Sequence, residues 1–257
     1  MNHTRRNFLK FMGVAAAGLC AASAGSALAV SGAGSKIKES GTAVTAKRWG
    51  MVIDTKKCGT KEAVEVLTKA CHAVHNVPNI PGKQNVKWIW AAGFEEAFDQ
   101  PNNFMDEGLE KRAFAILCNH CTNAPCVRVC PTQATYKRPD GIVAMDYHRC
   151  IGCRYCMAGC PFGARSFNFM EPRKHLDLSA LNKEFPTRMR GVVEKCNFCV
   201  ERLAQGKKPA CVEVSDGAVV FGDLTDANSE VRKLLREHYT IRRKPSLGTE
   251  PSVYYII

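Results

Sequence analysis

The fold of this chain is decided by Cys118-Asn-His-Cys121-Thr-Asn-Ala-Pro-Cys126-Val-Arg-Val-Cys130-Pro131 and by Cys150-Ile-Gly-Cys153-Arg-Tyr-Cys156-Met-Ala-Gly-Cys160-Pro161. In each block the first three cysteines stand a few residues apart, so one tight loop can bring three thiolates to three irons of one cubane. The proline turns the chain away, and the fourth cysteine serves the neighbouring cluster. The two blocks therefore predict 4Fe-4S clusters with crossed ligation.

Other uses of cysteine fit this spacing less well. The second block has the C-x2-C-x2-C-x3-C-P run of bacterial-type ferredoxins, and the first block differs from it by x4 in the middle gap. Zinc ribbons also use C-x2-C pairs, but they do not need three cysteines on one loop and a divergent fourth before proline. Zinc and a disulfide framework remain the alternatives to an iron-sulfur site.

The composition is that of a globular protein with unusually many cysteines. With 257 residues, 46% hydrophobic and 23% charged, the chain can form one large domain or two small ones. Its 14 cysteines require metal or disulfides. The net charge of +12 favours binding to acidic partners or to anionic lipid headgroups. The alternative is that the basic residues only form a solvated surface. Because Lys and Arg are dispersed, we expect no nucleic-acid partner.

The N-terminus resembles a twin-arginine export signal. Arg5-Arg6 precedes an uncharged run from Phe11 to about Val30, which includes the processing-site pattern Ala27-Leu28-Ala29. We therefore predict a signal peptide of residues 1–29 and a periplasmic protein, although an uncut run could anchor the chain in a membrane. Such signals export folded, cofactor-loaded proteins, so clusters would arrive intact. Cleavage removes three basic residues and leaves a charge of 33 − 24 = +9.

Periodicity and turn residues predict the elements outside the cysteine blocks. Residues 30–48 are small and polar and predict a linker, so structure begins at Trp49. Strands are predicted at 49–54, 134–137, 142–145, 165–170 and 218–221. Ser229 caps one predicted helix, and Thr60 caps another whose apolar face consists of Ala63, Val66, Leu67, Ala70, Cys71 and Val74. Residues 242–257 predict an extended tail, and no segment after residue 30 is apolar enough to cross a membrane.

Aromatic residues concentrate in an insertion at residues 83–110. They are Trp88, Trp90, Phe94, Phe98 and Phe104. Two interpretations are open, because such residues can form a face that docks a partner or a local core.

The remaining cysteines point to a known family. Cys196-x2-Cys199-x11-Cys211 is followed by Ser215 at the place of a fourth cysteine, and Cys58 and Cys71 stand alone near the N-terminus. Here the chain resembles the ferredoxin-like four-cluster subunits of membrane-linked oxidoreductases, in which four cysteine blocks occur in this order. The resemblance runs from about Trp49 to the C-terminus. Cys58 matches the start of the family's first block and Cys71 its end, but the two middle cysteines are missing.

The resemblance implies three 4Fe-4S clusters instead of four. In the family the outer blocks pair with each other, so the missing first-block cysteines and Ser215 all belong to one lost site. The twelve implied ligands are Cys118, Cys121, Cys126 with Cys160; Cys150, Cys153, Cys156 with Cys130; and Cys196, Cys199, Cys211 with Cys71. Cys58 is then a buried free thiol or an alternative ligand. His120 is a loop residue, or it ligates or tunes a cluster.

The implied fold is α+β, with tandem bacterial ferredoxin-like 4Fe-4S modules, short strands, cluster-binding loops and insertions. The inner two-cluster module spans about 112–170, and the outer module spans about 49–80 plus 190–225. Short strands and loops around cubanes bury too little apolar surface alone, so we do not expect the apo chain to fold.

The implied function is single-electron transfer without a catalytic site, because no nucleotide or hydrolase motif stands in a supporting context. Val86–Trp90, Arg165–Met170 and the tail from Arg242 resemble ferredoxin-like subunits of the membrane complex associated with dissimilatory sulfite reductase. That resemblance implies a membrane quinone-interacting subunit, a multihaem cytochrome c and further haem b and iron-sulfur subunits as partners. Alternatives are a subunit of an exported molybdenum reductase or hydrogenase, whose first block is usually complete, and a non-redox metal scaffold.

Overall fold

The structure is a computed structural model, and it describes residues 41, 43–98 and 105–257. The predicted signal peptide, most of the predicted linker and Phe104 lie outside the described residues. Within the described ranges, no helix is long and apolar enough to cross a membrane.

Short strands and helices alternate along the described chain. The strands are β1 (Trp49–Asp54), β2 (Ile89–Ala92), β3 (Phe114–Leu117), β4 (Thr135–Lys137), β5 (Val143–Met145), β6 (Ser166–Phe167), β7 (Val193–Glu194), β8 (Val219–Asp223), β9 (Thr240–Ile241) and β10 (Val253–Ile256). The α-helices are α1 (Lys61–His75), α2 (Phe94–Ala97), α3 (Glu107–Glu110), α4 (Pro125–Arg128), α5 (Tyr155–Ala158), α6 (Val200–Ala204), α7 (Ala210–Glu213) and α8 (Glu230–Glu237). Short 3-10 helices span Gly82–Gln84, Pro172–His175 and Pro245–Leu247. This mixture is the α+β class expected from the sequence.

The largest sheet joins the two ends of the described chain in the strand order β8-β1-β10-β9. β10 runs parallel to β1, and β8 runs antiparallel to it. One face of the sheet packs on α8 through Val52, Val231 and Ile256. The opposite face, which includes Met51 and Tyr255, joins the main core.

Three two-stranded sheets surround the cysteine blocks. β4 and β5 form the hairpin predicted between the blocks, and β2 pairs with β3, which leads into Cys118. β6 pairs with β7, which precedes Cys196. β6 is shorter than the predicted strand at 165–170, because its partner β7 has only two residues.

The two longest helices begin where the sequence predicts. The Thr60 hydroxyl accepts a hydrogen bond from the Ala63 amide at 3.2 Å, and the Ser229 hydroxyl accepts one from the Arg232 amide at 3.3 Å. Each bond satisfies an amide that the first helical turn leaves unpaired. α1 ends at Asn76, whose φ of 49° is left-handed.

The buried face of α1 differs from the predicted one. The sequence pattern places Val66 inside, but its side chain is 51% exposed. The buried positions are Val64, Leu67, Cys71 and His75. α1 packs on β2 and α7, and this contact turns the helix so that Cys71 points inward. The apolar pattern missed His75 because a polar side chain can be buried when partners satisfy it.

The folded body begins before the predicted boundary at Trp49. The Val44 amide donates to the Leu203 carbonyl at 3.0 Å, and the Lys47 amide donates to an Asp223 carboxylate oxygen at 2.9 Å. The end of the predicted linker therefore belongs to the domain, because hydrogen bonds from two separate segments hold its backbone.

The C-terminal segment is extended at Val253–Ile256, as predicted, but it is a strand within a sheet and not a free tail. β10 lies between β1 and β9, and both Val253 and Tyr255 are fully buried. The Tyr255 hydroxyl donates to the Ala115 carbonyl at 3.2 Å. A strand pattern is the same at the edge and at the centre of a sheet, so the sequence could not show this position. The last strand is part of the core and is not available for docking.

The described aromatics of the insertion form a local core and not a docking face. Trp88 and Phe98 are buried. Phe98 packs edge-on against Tyr255, with ring centroids 5.4 Å apart. Trp90 and Phe94 are half-buried and pack against the main core.

We expect β10 to be required for a folded, metal-loaded protein. Tyr255→Ala should lower the free energy of unfolding by about 3–5 kcal/mol, because it removes a fully buried aromatic side chain. Tyr239→Ala is the matched control, since Tyr239 is 80% exposed, and its effect should stay within about 0.5 kcal/mol. Urea unfolding followed by visible absorbance measures both. Equal stability of the two variants would contradict the central position of β10.

Candidate iron-sulfur sites

The first site is a small cavity between the two cysteine blocks. Its wall contains Cys118, Cys121, Cys126 and Cys160, so three ligands come from the first block and one from the end of the second. Burial raises the pKa of Cys121 to about 12, and the Cys118 thiolate adds to the rise. Thiolates are unfavourable here without a compensating cation, which a metal cluster supplies.

The second site is the most exposed of the three. Its cavity is lined by Cys130, Cys150, Cys153 and Cys156. Only Cys156 is buried, and Cys153 is exposed. The loop needs glycine at position 152, because Gly152 has φ +70° and an added Cβ would lie 2.3 Å from the Gly191 carbonyl oxygen.

The third site is built from distant segments. Cys71 lies on α1, Cys211 lies on α7, and Cys196 and Cys199 lie between β7 and α6. All four are buried. Burial raises the pKa of Cys71 well above its usual value, and the nearby thiolates of Cys196, Cys199 and Cys211 add to the rise. The fold therefore brings Cys71 to the three C-terminal cysteines.

The residues at the first site fit an iron-sulfur cluster. In the described part of the chain, Asn119 Nδ2 and Arg165 Nη2 are buried donors without a protein partner, and both residues line the cavity. An unsatisfied buried donor costs about 1–3 kcal/mol, and cluster sulfur is an acceptor in reach of such donors. Thirteen cysteines lie in the described ranges and all are free thiols, so the structure offers no disulfide framework there.

His120 lies beside the first site without serving as an obvious ligand. Its Nδ1 accepts a hydrogen bond from the Val143 amide at 3.1 Å, which leaves Nε2 as the protonated nitrogen. Its ring stacks on Phe198, with centroids 3.6 Å apart. Burial lowers the pKa of His120 well below its usual value, so the ring is neutral. His120 therefore packs on Val143 and Phe198, and its interpretation as a loop residue or as a residue that tunes a cluster stays a prediction.

A buried ion pair fixes the third site. Arg188 and Glu194 are both fully buried, with Nη2 and Oε2 2.7 Å apart. Arg188 also donates to the carbonyls of His75 and Asn76 at the end of α1. Trp88 Nε1 donates to Glu194 at 2.9 Å. Because Glu194 ends β7, the pair holds the helix of Cys71 against the strand that leads to Cys196.

His75 is the second residue that fastens α1 to the third site. Its Nε2 lies 2.6 Å from Glu201 Oε1, and its Nδ1 lies 2.8 Å from the Cys71 carbonyl oxygen. Glu201 also accepts from the Asn197 side chain at 2.9 Å. Side-chain ligand atoms of His75, Cys199 and Glu201 lie within 4.8 Å of one another. These contacts orient the loop that carries Cys199.

Sequence reasoning missed the polar residues around the sites. They are His75, Arg165, Arg188, Glu194, Lys195 and Glu201. Arg165 and Lys195 stand close to cysteine blocks, and that adjacency was the available signal. Arg188 and Glu194 lie in a segment without a motif, so their contact with α1 follows only from the tertiary structure.

Cys58 and Ser215, which the resemblance assigns to a lost site, are hydrogen-bonded to protein atoms. The Cys58 thiol donates to the Asp54 carbonyl at 3.2 Å, and burial raises the pKa of Cys58 to about 11. The Ser215 hydroxyl donates to the Val212 carbonyl at 2.8 Å and accepts from the Val219 amide at 3.1 Å. Cys58 is buried, and its interpretation as a free thiol stays a prediction.

Comparison with known proteins agrees with the cysteine chemistry. Residues 110–224 match the family described as 4Fe-4S dicluster domain. The chain is 42% identical over 210 residues to the Hdr-like menaquinol oxidoreductase iron-sulfur subunit 1 of Archaeoglobus fulgidus, covering 77% of this chain and 75% of that protein. It is 38% identical over 211 residues to the menaquinone reductase, iron-sulfur cluster-binding subunit, of Nitratidesulfovibrio vulgaris, with coverages of 73% and 81%.

A third relative is a polypeptide of the polysulfide reductase of Wolinella succinogenes. It is 35% identical over 189 residues, which are 73% of this chain and 84% of that protein. The prediction of 4Fe-4S clusters is confirmed by the domain match. Each of these relatives is covered over more than two thirds of its length. The chain therefore belongs to the family of ferredoxin-like 4Fe-4S subunits of oxidoreductase complexes, in which it is an electron-transfer subunit and not a catalytic one.

Proposed function

We propose that the chain is an exported subunit that relays single electrons through three 4Fe-4S clusters. It connects a membrane quinone-interacting subunit with other redox subunits of a respiratory complex linked to dissimilatory sulfur metabolism. The observation that carries this proposal is the distribution of twelve cysteines: four line one cavity, four line a second, and the last four are buried, two of them on α1 and α7, which pack together. The inner two sets form one two-cluster module, and the third forms the remaining half of an outer module.

The three sites support a linear relay with the first site in the middle. Burial raises the pKa of Cys196, and the Cys118 thiolate of the first site adds to the rise. Burial also raises the pKa of Cys156 in the second site, and the Cys126 thiolate adds to it. Val143 and Met145 of β5 line the first and second cavities respectively, and Lys195 Nζ donates to the carbonyls of Val143 and Cys196, so the first site neighbours both others. Electrons would pass between the second and third clusters through the first.

The second site is the place where the relay reaches the surface. Around the exposed Cys153, Ile151 is 68% exposed and Tyr155 is 66% exposed. Arg154 stands beside them and covers the ring of Phe167, with 5.5 Å between its guanidinium carbon and the ring centroid. Exposed apolar residues around a redox centre favour a docking partner. This surface, and not the aromatic insertion, is the proposed docking region.

The proposed partners follow from the relatives and from the resemblance to one subfamily. The names of two relatives contain menaquinol oxidoreductase and menaquinone reductase, which supports a quinone-linked complex. The chain also resembles DsrO, the ferredoxin-like subunit of the membrane complex associated with dissimilatory sulfite reductase. By that resemblance, a multihaem cytochrome c and further haem b and iron-sulfur subunits complete the complex.

A second candidate is the electron-transfer subunit of an exported molybdenum reductase. It is favoured by 44% identity over 184 residues to the iron-sulfur subunit of a putative dimethyl sulfoxide reductase of Halobacterium salinarum, covering 69% of each protein. The incomplete fourth site argues against it, because Cys58 and Ser215 are bonded within the protein.

The relay is tested with anaerobically prepared protein and the membrane subunit. The protein alone should show no turnover of sulfite, tetrathionate or hydrogen, whereas a menaquinol analogue should reduce its clusters once the membrane subunit is present. Tyr155→Asp places a charge in the apolar contact around Cys153. It should therefore lower about tenfold either the rate at which the clusters are reduced or the rate at which the other subunits re-oxidise them. Tyr239→Asp, on another exposed tyrosine, is the control. Quinol oxidation by the protein alone would refute the relay.

The cluster count and wiring have a separate test. Anaerobic protein should contain about twelve irons per chain, four for each of three cubanes. Cys71→Ala should remove or convert the same EPR signal as Cys199→Ala, because both sulfurs belong to the third site. Cys58→Ala should retain the full iron content and is the matched control. A reproducible sixteen irons, or loss of a cluster in Cys58→Ala, would show that a fourth site exists.

The export route is tested at the N-terminus. Replacing Arg5 and Arg6 by Lys should leave a cluster-loaded precursor in the cytoplasm, because the twin-arginine route requires the arginine pair. Cell fractionation and immunoblotting measure the distribution. Lys10→Arg, which keeps the pair, is the control and should be exported normally. Unchanged export of the double variant would mean that another route is used.

A further inference from the structure

Two buried cations in this fold have no carboxylate partner. Arg165 is 5% exposed and Lys195 is 1% exposed. Among the described residues neither takes part in an ion pair with Asp or Glu. Arg188, by contrast, is neutralised by Glu194. A buried charge without a partner is strongly unfavourable, so both cations need a compensating anion other than a carboxylate.

Arg165 lies between the first and second sites. Its side chain lines the first cavity. Its Nη1 donates to Thr135 Oγ1 at 3.1 Å and contacts Met145 Sδ at 3.7 Å. Thr135 and Met145 line the second cavity. Its Nη2 has no protein partner. Burial alone would lower the pKa of Arg165, but the sulfurs of Cys126 and Cys156 raise it above its usual value.

Lys195 lies between the first and third sites. Its Nζ donates to the Val143 carbonyl, and Val143 lines the first cavity. The same Nζ donates to the carbonyl of Cys196, a sulfur residue of the third site, at 2.7 Å. Each boundary between neighbouring sites thus holds one buried, carboxylate-free cation.

A 4Fe-4S core held by four thiolates is negatively charged, and it gains one further negative charge when it accepts one electron without a proton. A nearby buried cation stabilises the reduced form more than the oxidised form. We propose that Arg165 and Lys195 are the counter-charges that raise the reduction potentials of the clusters in pairs, Arg165 for the first and second clusters and Lys195 for the first and third. This inference rests on the proposed three-cluster relay.

The arrangement has a consequence for the order of reduction. The middle cluster is next to both cations, whereas each terminal cluster is next to one. The middle cluster therefore receives the largest charge stabilisation on reduction. An electron that enters at either end would find no electrostatic barrier at the centre of the relay.

The test is an EPR-monitored redox titration of isolated, anaerobic, cluster-loaded protein. Arg165→Gln should shift the reduction potentials of the first and second clusters to more negative values. At a fixed potential, the ratio of reduced to oxidised cluster should fall about tenfold, which corresponds to ~59 mV for one electron. The third cluster should not move. Lys195→Gln should shift the first and third clusters and leave the second unchanged. Arg236→Gln and Lys233→Gln on α8 are matched controls and should shift none.

The charge-preserving variants Arg165→Lys and Lys195→Arg separate charge from packing. They should keep iron and nearly restore the potentials, even if the Gln variants lose iron. Unchanged potentials in Gln variants with full iron, or a shift of all three clusters together, would overturn the proposal. So would iron loss in the charge-preserving variants. None of these outcomes would contradict the proposed relay. The relay is tested separately, by the iron count and by reduction through the membrane subunit.

Discussion

Each site must collect four sulfurs from separate parts of the chain, and this requirement fixes the path of the chain. At the inner sites the fourth sulfur comes from the other block, so the two blocks must lie side by side. At the third site Cys71 must return to Cys196 across most of the domain. Closing so long a loop costs conformational entropy, which metal ligation and the Arg188–Glu194 pair together offset.

The buried charges of this fold have two different roles, which their partners distinguish. Arg188 and Glu194 neutralise each other and hold α1 against β7, so removing either would leave an uncompensated charge in the core. Arg165 and Lys195 contact only neutral protein atoms and sulfur residues. Their charge is directed at the sites, and so it acts on the electrons carried there and not chiefly on the stability of the chain.

What the sequence could predict depended on the range of the interaction. Three predicted features that arise from neighbouring residues are present in the structure. They are the capped start of α1, the β4–β5 hairpin and the grouping of sulfurs within each cysteine block. The position of β10 in the centre of a sheet depends on pairing with β1, far away in the sequence, which no local pattern encodes. The burial of His75 was equally hidden, because it depends on Glu201 from another segment.

The end of the fold around Cys58 and Ser215 is held by contacts between protein atoms. The Cys58 sulfur and the Ser215 oxygen both form hydrogen bonds with protein atoms. Tyr255 from β10 fills the core close enough for the Cys58 thiolate to affect its pKa, although burial is the larger cause of that rise. This end of the domain is therefore held by strand pairing and packing.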